Sequence, residues 1–172
     1  MQSLTKELRV RLKGAKRVAI LGVGSELRAD DAAGMLVAQA IEKGSRVKGQ
    51  GSSNKVALRA FLGATAPENL TGEIKKHKPT HIIIVDTADI KQKPGTILLV
   101  KKEDLGAGVS FSTHKLPARV LMDYFTRSLK CDIMLIGIQP KSLEFGKKVS
   151  EEVKKSVKEI SDAIKNAVKL KG

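Results

Sequence analysis

Four polar side chains that can bind a metal or transfer a proton stand beside segments typical of strands and helices. Asp30 and Asp31 follow the apolar run at 17–23, Asp86 comes directly after Val85 at the end of an apolar β-branched run, and His114 precedes a helix-like segment. Carboxylates and imidazoles are the groups that proteins use as general acids and bases and as ligands for divalent metals. Because these four residues are far apart in the chain, only the fold can bring them together.

Each of these residues also has a structural interpretation. Asp30 stands directly before a helical segment and is interpreted as its N-cap, a position that Asn would fill equally well. Asp31 would gain only a modest dipole benefit at the first helical position, so a site role is favoured for it. For Asp86, capping a turn with Thr87 and lining a site are equally compatible with the pattern.

Other reactive side chains have less reason to be functional. His77 and His81 precede the strand that Asp86 ends, so they are expected at the opposite end of that strand, on the surface. Cys131 begins an apolar run and is expected in the core, where free cysteines are usually found.

Alternating strands and helices position these residues. Apolar runs predict strands at 17–23, 56–62, 81–86, 96–100 and 132–138, and helical periodicity predicts helices at 3–13, 31–43, 67–76, 116–129 and 149–168. The pattern predicts an α/β fold, a three-layer α/β/α arrangement with a mostly parallel, mixed five-stranded twisted sheet flanked by helices. The link before 96–100 is too short for a helical crossover, so this strand is expected to pair antiparallel with the 81–86 strand. Residues 1–172 are expected to form a single domain.

The topology predicts where the chemistry lies. Ligands of open α/β sheets bind outside the carboxyl ends of the strands, and Asp31, Asp86 and His114 all fall at that edge. Two carboxylates and one imidazole suit nickel, zinc, manganese or iron and leave positions open for substrate or water, which favours catalysis or recognition over scaffolding. A dinucleotide site is rejected, because Leu27 replaces the third glycine after Gly22-Val-Gly24 and two acids would repel a pyrophosphate.

Composition narrows the class of protein further. The 172 residues include 32 Lys and Arg against 18 Asp and Glu, a net charge of +14, yet only 3% are aromatic, so nucleic acid is not the expected partner. The charge is interpreted mainly as solvated surface. No apolar run approaches the ~18 residues of a membrane span, so no membrane association is expected. A single cysteine excludes an internal disulfide, and a cytoplasmic location is predicted.

Five segments in order resemble one family. Gly22-Val-Gly-Ser-Glu-Leu-Arg-Ala-Asp-Asp-Ala-Ala-Gly34 is similar to the G-[IV]-G-N-x-x-x-x-D-[DE]-x-x-G signature of the [NiFe]-hydrogenase maturation endopeptidases. Four further stretches resemble the branch that processes the large subunit of hydrogenase 3, namely Ala64–Asn69, Ile83–Asp89 with Pro94-Gly95, Ser112–Pro117 and Leu135–Pro140. The resemblance covers about residues 17–165.

The resemblance implies an aspartic-type endopeptidase that removes a C-terminal extension from the hydrogenase large-subunit precursor after nickel insertion. It assigns the catalytic and metal-contacting positions to Asp31, Asp86 and His114. Nickel would arrive with the precursor, and zinc or cadmium would substitute for it in vitro. The nickel-loaded precursor is the implied partner, and the protein is expected to be a monomer.

The chain also departs from the family pattern. Ser25 replaces the usual Asn, and Ala29 and Ala32 replace frequent glycines, so any positive φ there would be strained. Two alternatives remain beside the peptidase. One is a basic binding module for RNA or an acidic protein, without peptidase activity, and the other is a relative that recognises nickel but does not cut.

Overall fold

A central mixed sheet with helices on both faces forms the body of the protein. The computed structural model describes residues 2–46, 56–101, 110–111 and 118–169. The described strands are β1 Arg17–Val23, β2 Ala57–Ala64, β3 His81–Asp89, β4 Ile97–Lys101, β5 Ser110–Phe111 and β6 Asp132–Ile138. The described helices are α1 Gln2–Arg11, α2 Ala33–Arg46, α3 Thr71–His77, α4 Ala118–Leu129 and α5 Glu151–Lys169. Two short 3-10 turns, Ala29–Ala32 and Pro67–Leu70, lead into α2 and α3.

The sheet is mostly parallel, as the sequence predicts. Its strand order is β2-β1-β3-β6-β4, with β1, β2, β3 and β6 parallel and β4 antiparallel at one edge. The two-residue β5 pairs antiparallel with the end of β3. The central strands are apolar along their length because helices cover both faces, the usual pattern of parallel sheets. The predicted α/β fold with a mixed five-stranded sheet is therefore confirmed.

The pairing partner predicted for the 96–100 strand is wrong. The strand is antiparallel, but β4 pairs with β6 from Ile97↔Ile138 to Lys101↔Met134. It does not pair with β3, because β6 occupies the position beside β3. The backbone of Gln139 donates to the carbonyl of Thr96 (2.9 Å), and Gly95 donates to the carbonyl of Gln139 (2.8 Å), so the turn before β4 is anchored to β6.

Alternate side chains of the strands enter two separate cores. On one face Ile20, Ile83 and Ile136 pack with α1, α2 and α5, and on the other face Leu21, Ile84 and Leu135 pack with α3 and α4. Side chains of a strand alternate between the faces of a sheet, so one apolar strand supplies both cores. The result is the predicted three-layer α/β/α arrangement.

Two glycines let α2 lie directly against the strands. A Cβ on Gly34, in the first turn of α2, would lie 2.2 Å from the carbonyl oxygen of Val85, and a Cβ on Gly22 would lie 2.3 Å from the carbonyl oxygen of Gly34. Both distances are far below van der Waals contact. The close approach brings the start of α2 beside the carboxyl ends of β1 and β3.

At the opposite edge of the sheet, one histidine is buried although it was expected on the surface. His81 begins β3 and is buried, with Nε2 3.4 Å from Oδ2 of Asp132, so its expected surface position is wrong. Its strand lies in the middle of the sheet, where even the first residue is covered. His77 is half-buried. Cys131 is buried, as expected, and burial raises the pKa of its thiol to about 11.

No helix within the described ranges is long and apolar enough to cross a membrane.

Candidate functional site

Two buried carboxylates lie at the carboxyl edge of the sheet. Asp31 belongs to the 3-10 turn between β1 and α2, and Asp86 lies within β3, which the structure extends beyond the predicted end to Asp89. Their residues are 3% and 4% exposed. Isolated buried carboxylates are costly, so these side chains must receive hydrogen bonds from the surrounding protein.

Thr87 supplies such bonds to both carboxylates. Its hydroxyl donates to Oδ1 of Asp31 (3.1 Å), and its backbone N–H donates to Oδ1 of Asp86 (2.7 Å). One residue therefore bridges the two acids that the sequence predicts to converge. From the sequence, Thr87 is expected only as a turn partner of Asp86, although a hydroxyl directly after a strand-end acid is a signal for this second role.

The loop after β1 fixes the other oxygen of Asp31. The backbone N–H of Ser25 donates to Oδ2 of Asp31 (3.0 Å). Gly24 has a φ of 135°, and a Cβ there would lie 1.8 Å from the carbonyl oxygen of Asp31. The glycine at position 24 is thus required both by its backbone conformation and by the closeness of the turn.

The departures from glycine at positions 29 and 32 have different consequences. Ala29 adopts a φ of 44°, the left-handed conformation that is strained for a residue with a Cβ. Ala32 does not have a positive φ, so the condition for strain is not met at that position. Ala32 belongs to a helical turn that passes into α2, where alanine is a favourable residue.

Asp30 holds a distant segment and is not the helix N-cap expected from the sequence. It lies inside the 3-10 turn and is fully buried. Its Oδ2 accepts from the backbone N–H groups of Lys141 (2.7 Å) and Ser142 (3.2 Å), and also from the Ser150 hydroxyl (3.0 Å). Its Oδ1 accepts from the Ser150 N–H (2.7 Å). Its hydrogen-bond partners belong to the segment that joins β6 to α5 and not to the start of α2.

A further side chain anchors the turn after β3. Oε1 of Gln139 accepts from the backbone N–H of Ile90 (2.8 Å), so the end of β6 supports the turn that follows Asp86 and Asp89. In this turn Lys91 pairs with Asp89, and that contact lowers the pKa of the Asp89 carboxyl. The two segments that follow the ends of β3 and β6 are therefore joined.

The comparisons with known proteins identify the family. A family model described as hydrogenase maturation protease, HycI, matches residues 50–167. The chain belongs to the hydrogenase maturation protease family.

Individual relatives of this maturation protease agree with the assignment. A protein of Methanocaldococcus jannaschii named as a hydrogenase maturation protease is 36% identical over 148 residues, covering 85% of each chain. The hydrogenase 3 maturation protease of Escherichia coli K12 is 29% identical over 144 residues, covering 82% of this chain and 84% of the relative. The crystal structure of the [NiFe] hydrogenase maturation protease HycI from Thermococcus kodakarensis superposes with a TM-score of 0.80 at 29% identity, covering 95% of this chain and 99% of the other.

The third predicted site residue of this maturation protease, His114, lies outside the described residues. Within the ranges that the structure describes, no three His, Cys, Asp or Glu side chains form a group able to hold a metal ion. The structure joins Asp31 and Asp86 through Thr87, whereas Asp30 is bonded to the segment between β6 and α5. Two carboxylates with fixed oxygens are a donor set that fits a divalent ion of hard or borderline character.

Proposed function

We propose that this maturation protease is an endopeptidase that removes the C-terminal extension of a [NiFe]-hydrogenase large-subunit precursor after nickel insertion. The observation that supports this proposal best is the bridge of Asp31 and Asp86 by Thr87 at the carboxyl edge of the sheet. It gives a member of this family two preorganised carboxylates in the position where α/β proteins bind their substrates.

Recognition of the precursor would depend on its nickel. Asp31, Asp86 and His114 are the proposed ligands that this chain offers to the metal of the substrate. Bound nickel would act as a Lewis acid at the site. Its presence would also distinguish nickel-loaded precursor from nickel-free precursor. The metal belongs to the substrate in this proposal, and zinc or cadmium would bind in its place in vitro.

The two carboxylates also provide a route for the proton in peptide hydrolysis. A carboxylate oxygen of Asp31 or Asp86 accepts a proton as water adds to the scissile carbonyl carbon, and the proton passes to the leaving nitrogen as the C–N bond breaks. The Ser25 N–H and the Thr87 hydroxyl hold Asp31, and the Thr87 N–H holds Asp86, before substrate arrives, so little reorganisation is needed during the reaction.

A processing assay tests the proposal. Purified protease is mixed with precursor loaded with nickel or free of it, and removal of the extension is followed by mass spectrometry. We expect cleavage of the loaded precursor alone. In a second arm, nickel is preincubated with either partner and the excess is removed, and only preincubation with the precursor should permit cleavage.

Three other outcomes of these assays would each point to a different function. Equal cleavage of both precursors would contradict the nickel checkpoint and leave an ordinary peptidase. Nickel-dependent binding without a change of mass would identify a relative that recognises nickel but does not cut. Salt-sensitive binding of RNA that persists in Asp31→Ala, without any processing, would identify the basic binding module.

A further inference from the structure

Two large apolar side chains are exposed beside the candidate site. Leu27 lies in the loop between β1 and α2 and is 64% exposed, and Phe145 lies between β6 and α5 and is 75% exposed. A single exposed apolar residue needs no explanation, but adjacent ones on a protein surface often mark a contact site.

The two residues lie on segments that are bonded to each other. The backbone N–H of Gly146, the neighbour of Phe145, donates to the carbonyl oxygen of Leu27 (2.8 Å). Nε of Arg28 donates to the carbonyl oxygen of Leu143 (3.2 Å). The loop that carries Leu27 is thus hydrogen-bonded to the segment that carries Phe145, although the two are far apart in the chain.

The buried carboxylate of Asp30 holds both segments in position. Its four hydrogen bonds attach the 3-10 turn to residues 141, 142 and 150, which flank Phe145 on both sides. A binding surface that is ordered before the partner arrives loses less conformational entropy on association. We call Leu27 and Phe145, on their joined segments, the apolar rim.

The apolar rim is continuous with the candidate site. Asp31 directly follows Asp30 in the same turn, and Leu27 is in the loop whose Ser25 N–H donates to Asp31. The loop that carries Leu27 therefore also holds the candidate site residue Asp31.

We propose that the apolar rim is a docking surface for the folded body of the large-subunit precursor, which meets it with an apolar patch near the metal site. This inference rests on the proposed function and extends it to the means by which a protein substrate is held. A second copy of the chain fits less well. Exposed side chains of this size cover on the order of 200 Å² each at most, far less than the roughly 800 Å² per partner of a stable interface. Two such side chains suit the docking of a precursor that makes its remaining contacts around the candidate site.

Serine variants test the docking surface. Leu27→Ser and Phe145→Ser, combined in one full-length chain, remove both apolar side chains without touching Asp31, Asp86 or Thr87. The matched control is Val10→Ser, which removes a 70% exposed side chain from α1. Binding of nickel-loaded precursor is measured by surface plasmon resonance, processing by steady-state kinetics, and association state by analytical ultracentrifugation.

We expect the double variant to bind the precursor about 30-fold more weakly, with KM raised and kcat nearly unchanged, because exposed anchors contribute to binding and not to chemistry. Val10→Ser should behave as wild type. Equal precursor affinity of the double variant and wild type would overturn the docking surface alone. A wild-type dimer that the double variant dissociates would also overturn it, by showing a self-interface. Failure of the wild type to bind or process precursor would instead overturn the proposed function, and the docking surface with it.

Discussion

The hydroxyl of Thr87 donates a hydrogen bond to Oδ1 of Asp31 across 3.1 Å, and so connects β3 to the turn that leads into α2. The same residue donates its backbone N–H to Asp86. Hydrogen bonds of this kind orient the ligands of metal sites and typically alter metal affinity by about 10- to 100-fold when they are removed.

Thr87→Val is therefore expected to weaken binding of Cd²⁺ or Ni²⁺ to the protein by about 10- to 100-fold, since it retains the shape and the backbone donor but loses the hydroxyl. Thr87→Ser, which keeps the hydroxyl, should retain most of the metal affinity of the wild type. Isothermal titration calorimetry measures both. Thr126→Val, which removes a hydroxyl bonded to the Met122 carbonyl in α4, is the matched control and should leave metal affinity unchanged. Equal affinity of Thr87→Val and wild type would show that the bridge has only a structural role.

Asp31→Asn and Asp86→Asn are each expected to lower processing by at least about 100-fold, because an amide neither carries the charge that binds the metal nor accepts the proton from water. His114→Ala should do the same if it completes the ligand set. Asp132→Asn, at the opposite edge of the sheet with a largely exposed side chain, is the control. Circular dichroism verifies folding, and normal cleavage by any two of the three site variants would disprove the three-ligand hypothesis.

Asp30→Asn is expected to lower the free energy of unfolding by about 2 to 4 kcal/mol. The Asp30 carboxylate accepts four hydrogen bonds, and an amide would place N–H groups against backbone donors that need an acceptor. Urea denaturation measures the change. Asp162→Asn, which removes an ion pair with Lys158 on the surface of α5, should cost less than about 0.5 kcal/mol. A loss for Asp30→Asn no larger than that of Asp162→Asn would show that the hydrogen bonds of the Asp30 carboxylate are dispensable for stability.

Gly34→Ala is expected to destabilise the protein by about 3 kcal/mol or more, because the new Cβ would meet backbone oxygens of both Val85 and Val23. Gly72→Ala is the control, and it is expected to change the stability of the protein in the opposite direction. It lies in α3 with no atom within 4 Å of its Cβ position, so alanine should stabilise the helix by up to about 1 kcal/mol. Thermal unfolding of both variants checks the pair, and equal melting temperatures would contradict the close packing of α2.

Cys131 is expected to be unreactive in the folded protein. Burial, aided by the charge of Asp132, raises the pKa of its thiol to about 11, so only about 0.1% is thiolate at pH 8. Iodoacetamide should label the native chain at least about 100-fold more slowly than the urea-unfolded chain, in which the thiol pKa returns to about 8.5. Cys131→Ala should process precursor normally. Rapid native labelling, or loss of processing in Cys131→Ala, would indicate that the thiol is accessible or takes part in the reaction.

Local patterns in the sequence determined the elements and the edge at which the acids meet. The apolar runs at 17–23 and 132–138 are the strands β1 and β6 with the predicted bounds, because strands covered by helices on both faces need apolar side chains throughout. Asp31 follows β1 and Asp86 lies near the carboxyl end of the parallel neighbouring strand β3, so the expected topology alone predicted that they converge.

Contacts between distant parts of the chain were decided only by the tertiary structure. Asp30 and Asp31 are adjacent acids, but Asp30 accepts bonds from Ser150, 120 positions further along the chain, whereas Asp31 accepts from Thr87. No local signal identifies these donors, because a buried carboxylate takes whichever donors the folded chain brings to it. The partner of β4 and the burial of His81 have the same origin. Each depends on β6 lying beside β3, a long-range pairing that short apolar runs cannot encode by themselves.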